Sequence, residues 1–216
     1  MTTARNRALQ VVPDRHDCPA SIDTAAEWSD QPSAETHAAQ WEPEYQLVGA
    51  LLWHTAAQAK PLLEAVPDEA IWRPMTRWVY ELIRSVIDDG RDPDPVSVLN
   101  RAKHQPATQA LQPDTAPTPS QHHRLAVYLS NLYTNTVSRH AAPSHARDTL
   151  DEAYRRAFRE EGIRMQQLGE TASDRAELTE QFSIIRDRLA DLWRRAEATT
   201  VPGWWRVQAC DDKASR

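Results

Sequence analysis

Apolar residues recur at three- and four-residue steps along the chain between about residues 42 and 196, which is the period of helices with one face turned to a core. Leu47, Val48, Leu51 and Leu52 share one face of a helix expected over 44–53, with Pro43 and Glu44 suited to its start by preset φ and by the helix dipole. A short helix over 56–66 would bury Leu62, Leu63 and Val66. Pro67-Asp68 opens the next element. There Ile71, Trp72, Met75, Trp78, Val79, Leu82, Ile83, Val86 and Ile87 form one wide stripe, closed by Gly90 as a C-terminal stop. Asp94 reads as the cap of a further helix with Pro95 at its first position, and Val96, Val98 and Leu99 are expected to pack inward. Pro106, Pro113, Pro117 and Pro119 mark 105–121 as a mobile proline-rich loop. Helix then returns over 122–136, with Leu125, Tyr128, Leu129, Leu132 and Tyr133 on one side.

The last third changes character. A long helix over 144–168 carries Leu150, Tyr154, Ala157, Phe158, Met165 and Leu168, and Gly169 or its neighbours should end it. Thr171 with Asp174 resembles a capping box. Leu178, Phe182, Ile185, Leu189, Leu192 and Ala196 then step by four and three residues, a heptad seam. Two long amphipathic helices joined by a short turn make an αα hairpin. The predicted fold is therefore all-α: a disordered tail over 1–41, a compact helical head over 42–137, a helical hairpin over 138–196 and a second tail over 197–216.

A hairpin of this kind has little apolar surface to bury within itself. Either the head or a second copy must cover the rest, and each large aliphatic side chain buried is worth about 1.5–3 kcal/mol. The seam of Leu178, Phe182, Ile185, Leu189 and Leu192, with the face of Leu150, Tyr154 and Phe158, is the candidate surface for self-association. A polar seam change such as Ile185→Asp is expected to abolish it. Trp204 and Trp205 stand together in a polar terminus, where they either pack back on the domain or form a docking peptide.

Composition narrows the function. The chain has 216 residues, only 5 glycines but 15 prolines, and a formal charge of 25 − 31 = −6. Scarce glycine argues against phosphate-binding loops and turn-rich β sandwiches. Net acidity argues against direct DNA binding, since phosphate affinity comes from clustered Lys and Arg. From 147 to 195 ten arginines interleave with eleven acids, which makes exposed pairs rather than a basic stripe. Cys18 and Cys210 lie far apart, as expected of reduced thiols in a cytoplasmic protein, and no apolar run reaches the length of a bilayer span.

No catalytic constellation emerges. His16 with Cys18, His122-His123, and His140 with His145 never reach three ligands at a metal-site spacing, so no metal is expected. Glu160-Glu161 and Asp211-Asp212 read as solvated acids on a helix surface and in a tail, and no nucleophile elbow is present. None of Gly49, Gly90, Gly162, Gly169 or Gly203 precedes the lysine of a P-loop. Neither ATP hydrolysis by that route nor any other cofactor is expected, and the chain reads as a non-enzyme.

An ordered set of segments carries a family resemblance. It consists of Glu44 through Leu52 with Gly49, Ile71-Trp72, Arg73-Pro74, Arg77, Val79-Tyr80, Gly90, Asp94 and Val96-Ser97-Val98. Tyr128-Leu129 with Leu132, then Asn135-Thr136 and the helical pair complete it. Over residues 42–196 this resembles the N-terminal domain of DnaB-type replicative DNA helicases, here without the RecA-like motor. Thr76 stands where the family often has histidine, and the segment 105–120 replaces a short glycine-containing turn. The resemblance implies a non-catalytic oligomerisation and docking domain in DNA replication, a dimer or larger assembly that binds helicase, primase or loader. The rival readings are a helical nucleic-acid-binding regulator and a helicase remnant without a partner.

Overall fold

The computed structural model describes residues 39–110, 115–171 and 174–206. Seven α-helices lie among these residues: α1 Pro43–Leu51, α2 Ala56–Ala65, α3 Pro74–Asp88, α4 Pro95–Arg101, α5 Pro119–Asn135, α6 Ala142–Thr171 and α7 Arg175–Ala198. Short 3-10 turns occupy Asp68–Ala70 and Arg139–Ala141. No strand occurs among the described residues.

α1 is the axle of the head. Eight of its nine residues are buried, so it is apolar or internally bonded all round, as a central helix must be. It packs on α3, α5 and the first half of α6. Gly49 is required where α1 meets the end of α5. A Cβ there would stand 2.9 Å from the Leu132 carbonyl and in collision with the Thr136 hydroxyl. Gln46 is buried beside this contact. Its amide donates to the Asn135 carbonyl at 3.2 Å, and its oxygen accepts from the Val137 N–H at 2.9 Å.

Local chemistry sets the helix ends. Thr55 and Gln58 cap α2 reciprocally, and Asp92 accepts the Ala56 N–H at 2.8 Å. Arg84 of α3 donates to the Leu63 and Val66 carbonyls at 3.0 and 3.2 Å, satisfying the far end of α2. α3 ends in a Schellman motif. Gly90, at φ 74°, donates to the Ile87 carbonyl at 2.8 Å and Arg91 donates to that of Val86 at 3.2 Å. Asp94 caps α4 by accepting the Val96 and Ser97 N–H groups at 2.9 and 3.1 Å.

Several boundaries differ from the sequence reading. The stripe from Ile71 to Ile87 is not one helix opened at Pro67-Asp68. Pro74 excludes the α conformation at Arg73, which sits at φ −72°, ψ 126°, so α3 begins only at Pro74. Trp72 thereby leaves the stripe and is 60% exposed. Val96 also faces solvent, because Val98 and Leu99 take the inner side of the short α4. α5 begins at Pro119 rather than 122, through a Thr118–Gln121 capping box. α6 runs through Gly169 to Thr171, and Asp174 rather than Thr171 caps α7, accepting the Glu177 N–H at 2.8 Å. The proline-rich stretch is pinned at one end: the Trp78 indole donates to the Gln105 carbonyl at 3.0 Å, and the Thr108 N–H donates to Glu81 at 3.1 Å.

Head and hairpin share one core within a single compact unit. Ala142, Ala146, Leu150 and Ala153 of α6 belong to the same buried cluster as Leu47, Leu51, Leu82 and Leu129. Ala196 returns to it from the end of α7, where Arg195 donates to the Glu64 carbonyl at 3.1 Å. No described helix is long and apolar enough to cross a membrane.

Candidate interaction surface

The residues proposed for self-association divide into buried, half-buried and exposed groups. Leu150 is fully buried in the shared core, and Ile185 is buried between α6 and α7, so neither faces a second chain. They are spent inside the chain because α6 approaches α1 through alanines, which draws Leu150 into the head. Leu189, Leu192 and Tyr154 are half-buried, and Leu192 packs on the head cluster. Phe158, Phe182 and Leu178 are exposed. Ile185→Asp would accordingly break the hairpin itself rather than test association.

The exposed members form a pattern. At about 100° per residue, Tyr154, Phe158 and Met165 fall within about 40° of one another on α6, and Phe182, Leu189 and Trp193 do the same on α7. Each stripe is rotated about 60° from the α6–α7 seam in the same sense along its helix. In an antiparallel pair such rotations lead to the same side. One side of the hairpin therefore presents Phe158 (60% exposed), Phe182 (54%) and Trp193 (52%), with Met165 and Leu178 beside them. The Tyr154 and Phe158 rings touch at 6.2 Å. Met165 and Trp193 were not assigned to this surface from sequence. The signal was the Leu189–Trp193 step, one helical notch away from the seam through Ile185.

The opposite side is charged. There a cleft of about 690 Å³ lies between Trp72, Pro74 and Arg77 of the head and Arg156, Glu160, Arg188 and Asp191 of the hairpin. Its arginines are engaged: Arg156 donates to the Ala70 carbonyl at 2.8 Å, Arg77 pairs with Glu81 at 3.3 Å, and Arg195 pairs with Asp191 at 2.7 Å. Glu161, read from sequence as solvated, is instead buried in the seam because it faces α7, where Arg188 meets it at 2.5 Å. Asp211-Asp212, His16, Cys18 and Cys210 lie outside the described residues.

Glu44 is the other buried carboxylate. It accepts the Trp72 and Arg73 N–H groups at 2.6 and 3.1 Å, holding the turn that leads into α3. Burial pushes its pKa above the ordinary glutamate range, making it a weaker acid, and these two hydrogen bonds only partly offset that. Beside it Arg73 forks onto Glu42 with two contacts of 2.5 Å. Trp204 packs partly against the core cluster, and Trp205 meets it edge-on at 6.1 Å, with Arg206 over the Trp205 ring.

This surface defines an all-helical head-and-hairpin domain whose conspicuous feature is an uncovered apolar face. Among solved structures, the N-terminal domain of DnaB helicase from Mycobacterium tuberculosis is similar to it, with a TM-score of 0.54 and 21% identity over 66% of this chain and 93% of that one. The chain thus has the DnaB N-terminal-domain-like fold that its sequence segments resemble. No family model matches the chain, and no curated protein matches it.

Proposed function

We propose that this chain is a non-catalytic, cytoplasmic interaction domain of DNA replication. It self-associates through the outer face of the hairpin and docks on the replicative helicase, its primase or its loader. The observation that carries the reading is the row of Phe158, Phe182 and Trp193, each more than half exposed on one side of a structured hairpin. Aromatic side chains left in water along a rigid face are the composition of an interface centre. The fold likeness to a replicative-helicase domain supports the replication setting.

Sedimentation at micromolar concentration tests the first half. The expected result is a dimer or larger species that Phe158→Asp/Phe182→Asp/Trp193→Asp turns into a monomer with an unshifted melting curve. A monomeric wild-type chain overturns it. The second half is tested by adding the pure chain to a priming reaction reconstituted with the helicase and primase of the same cell. A changed primer yield that the triple variant fails to produce supports the reading, and an unchanged yield removes it. ATP turnover by the pure chain would refute the non-catalytic assignment.

A further inference from the structure

A second surface lies at the base of α6, on a different flank from the apolar face. Trp72 is 60% exposed there, yet it is held in place. Its N–H is fixed by buried Glu44 at 2.6 Å, the next residue is forked onto Glu42, and Pro74 then starts a helix. The Arg156 guanidinium lies 5.0 Å from the indole centroid and is itself tied to the Ala70 carbonyl. Beside the ring is a depression of about 520 Å³ bounded by Trp72, Glu152, Arg155, Arg156, Arg159 and Glu160.

Arg155 and Arg159, one turn apart on α6, are exposed and form no ion pair among the described residues. Arg155 reaches Glu152 only as a longer-range attraction. The other hairpin arginines lining the head cleft are engaged with carboxylates or carbonyls. An exposed tryptophan on a fixed backbone, with the Arg156 guanidinium already over its ring and Arg155 and Arg159 close by, is partly pre-organised for a ligand. Trp and Arg are also the residue types that dominate interface energetics.

We propose that this depression is a docking site for a partner polypeptide segment that combines an aromatic or aliphatic side chain with one or two carboxylates. The apolar group would lie on Trp72, and the carboxylates would be bridged by Arg155 and Arg159. Charge placement favours a polypeptide over a single-stranded nucleic acid. Glu152 and Glu160 line the same depression as the two free arginines, so a continuous phosphate chain would cross a carboxylate wherever it ran, while an isolated carboxylate fits between them. The site stands independently of self-association through the hairpin face, which uses none of these residues.

Panning a random-peptide display library against the full chain tests the assignment. The expected outcome is enrichment of sequences pairing Asp or Glu with Phe, Trp or Leu. Their affinity should fall at least tenfold in Arg155→Glu/Arg159→Glu and in Trp72→Ala, with unchanged melting and unchanged sedimentation. Selected peptides without acidic residues, or peptides indifferent to the arginine reversal, overturn it. Salt-sensitive binding of a twenty-residue oligo-dT that is lost in the same double variant also overturns it, by giving the site to single-stranded nucleic acid.

Discussion

The two halves of α6 carry the same helical period and end in opposite situations. The first half lines its inner face with Ala142, Ala146, Leu150, Ala153 and Ala157, all buried. The second half carries Phe158, Ile163 and Met165, all exposed. Apart from Leu150, the residues inside are alanines while the large apolar ones are outside, against the naive ranking by hydrophobicity. Alanine lets α6 approach α1 closely, so the head can cover that half with tight contacts. The distal half has only α7 beside it, and two helices cannot enclose the broad apolar faces that both carry. Periodicity thus marks which face is apolar, while side-chain size and the neighbours available decide whether this chain covers it.

The sharpest way to break the comparison is to truncate one buried residue of the base. Leu150→Ala removes a fully buried side chain from the shared core and is expected to cost about 2–5 kcal/mol, measured by denaturant unfolding. A loss under about 1 kcal/mol would mean that the base of the hairpin is not part of the head core.

Next in size is the close approach of α1 to α5. Gly49→Ala places a methyl group 2.9 Å from a backbone carbonyl and is expected to destabilise by about 1–3 kcal/mol despite the better helix propensity of alanine. Unfolding midpoints check this, and stabilisation would show that the helices yield freely.

Asp94 tests local capping away from both halves of α6. Asp94→Ala is expected to cost about 1 kcal/mol. Burial alone would raise the Asp94 pKa, but hydrogen bonds from the Ser97 hydroxyl and the Ser97 and Val96 N–H groups hold it below the ordinary value of 3.8. The unfolded chain then binds the proton more readily than the folded one. The stabilisation is complete above 3.8 and is lost as pH falls through the folded value. The wild-type minus Asp94→Ala difference in unfolding midpoint should be flat at neutral pH and shrink only in that acid window.

The smallest stability effect belongs to the distal face. Phe158→Ser and Trp193→Ser are expected to change unfolding free energy by less than about 0.5 kcal/mol when measured on dilute monomer. Their effect should appear in sedimentation instead. A loss above about 2 kcal/mol in the monomer would place these side chains in an intramolecular core and erase the contrast between the two halves.

Much of the fold was legible because it rests on local rules. The Gly90 stop and the Asp94–Pro95 start follow from capping and from φ preferences that neighbouring residues impose. Pro74 could have been read in the same way, since a proline restricts the residue before it, and Trp72 was placed in the stripe only because its spacing suited a helix that had not yet begun. The candidate surface was half legible. Phe158, Leu178 and Phe182 are exposed as a partner face requires, while Leu150 and Ile185 share their period but not their fate.

The sequence by itself determined the helices, their caps and which side of each is apolar, since these depend on a residue and its neighbours within a few positions. Only the tertiary structure decided that Leu150 and Glu161 go inside while Phe158, Phe182 and Trp193 stay in water. It also decided that Trp72 meets Arg156 of a helix more than eighty positions away along the chain. Burial is a property of the space between helices, and that space is set by the closest pair of backbones, which no one-dimensional pattern records.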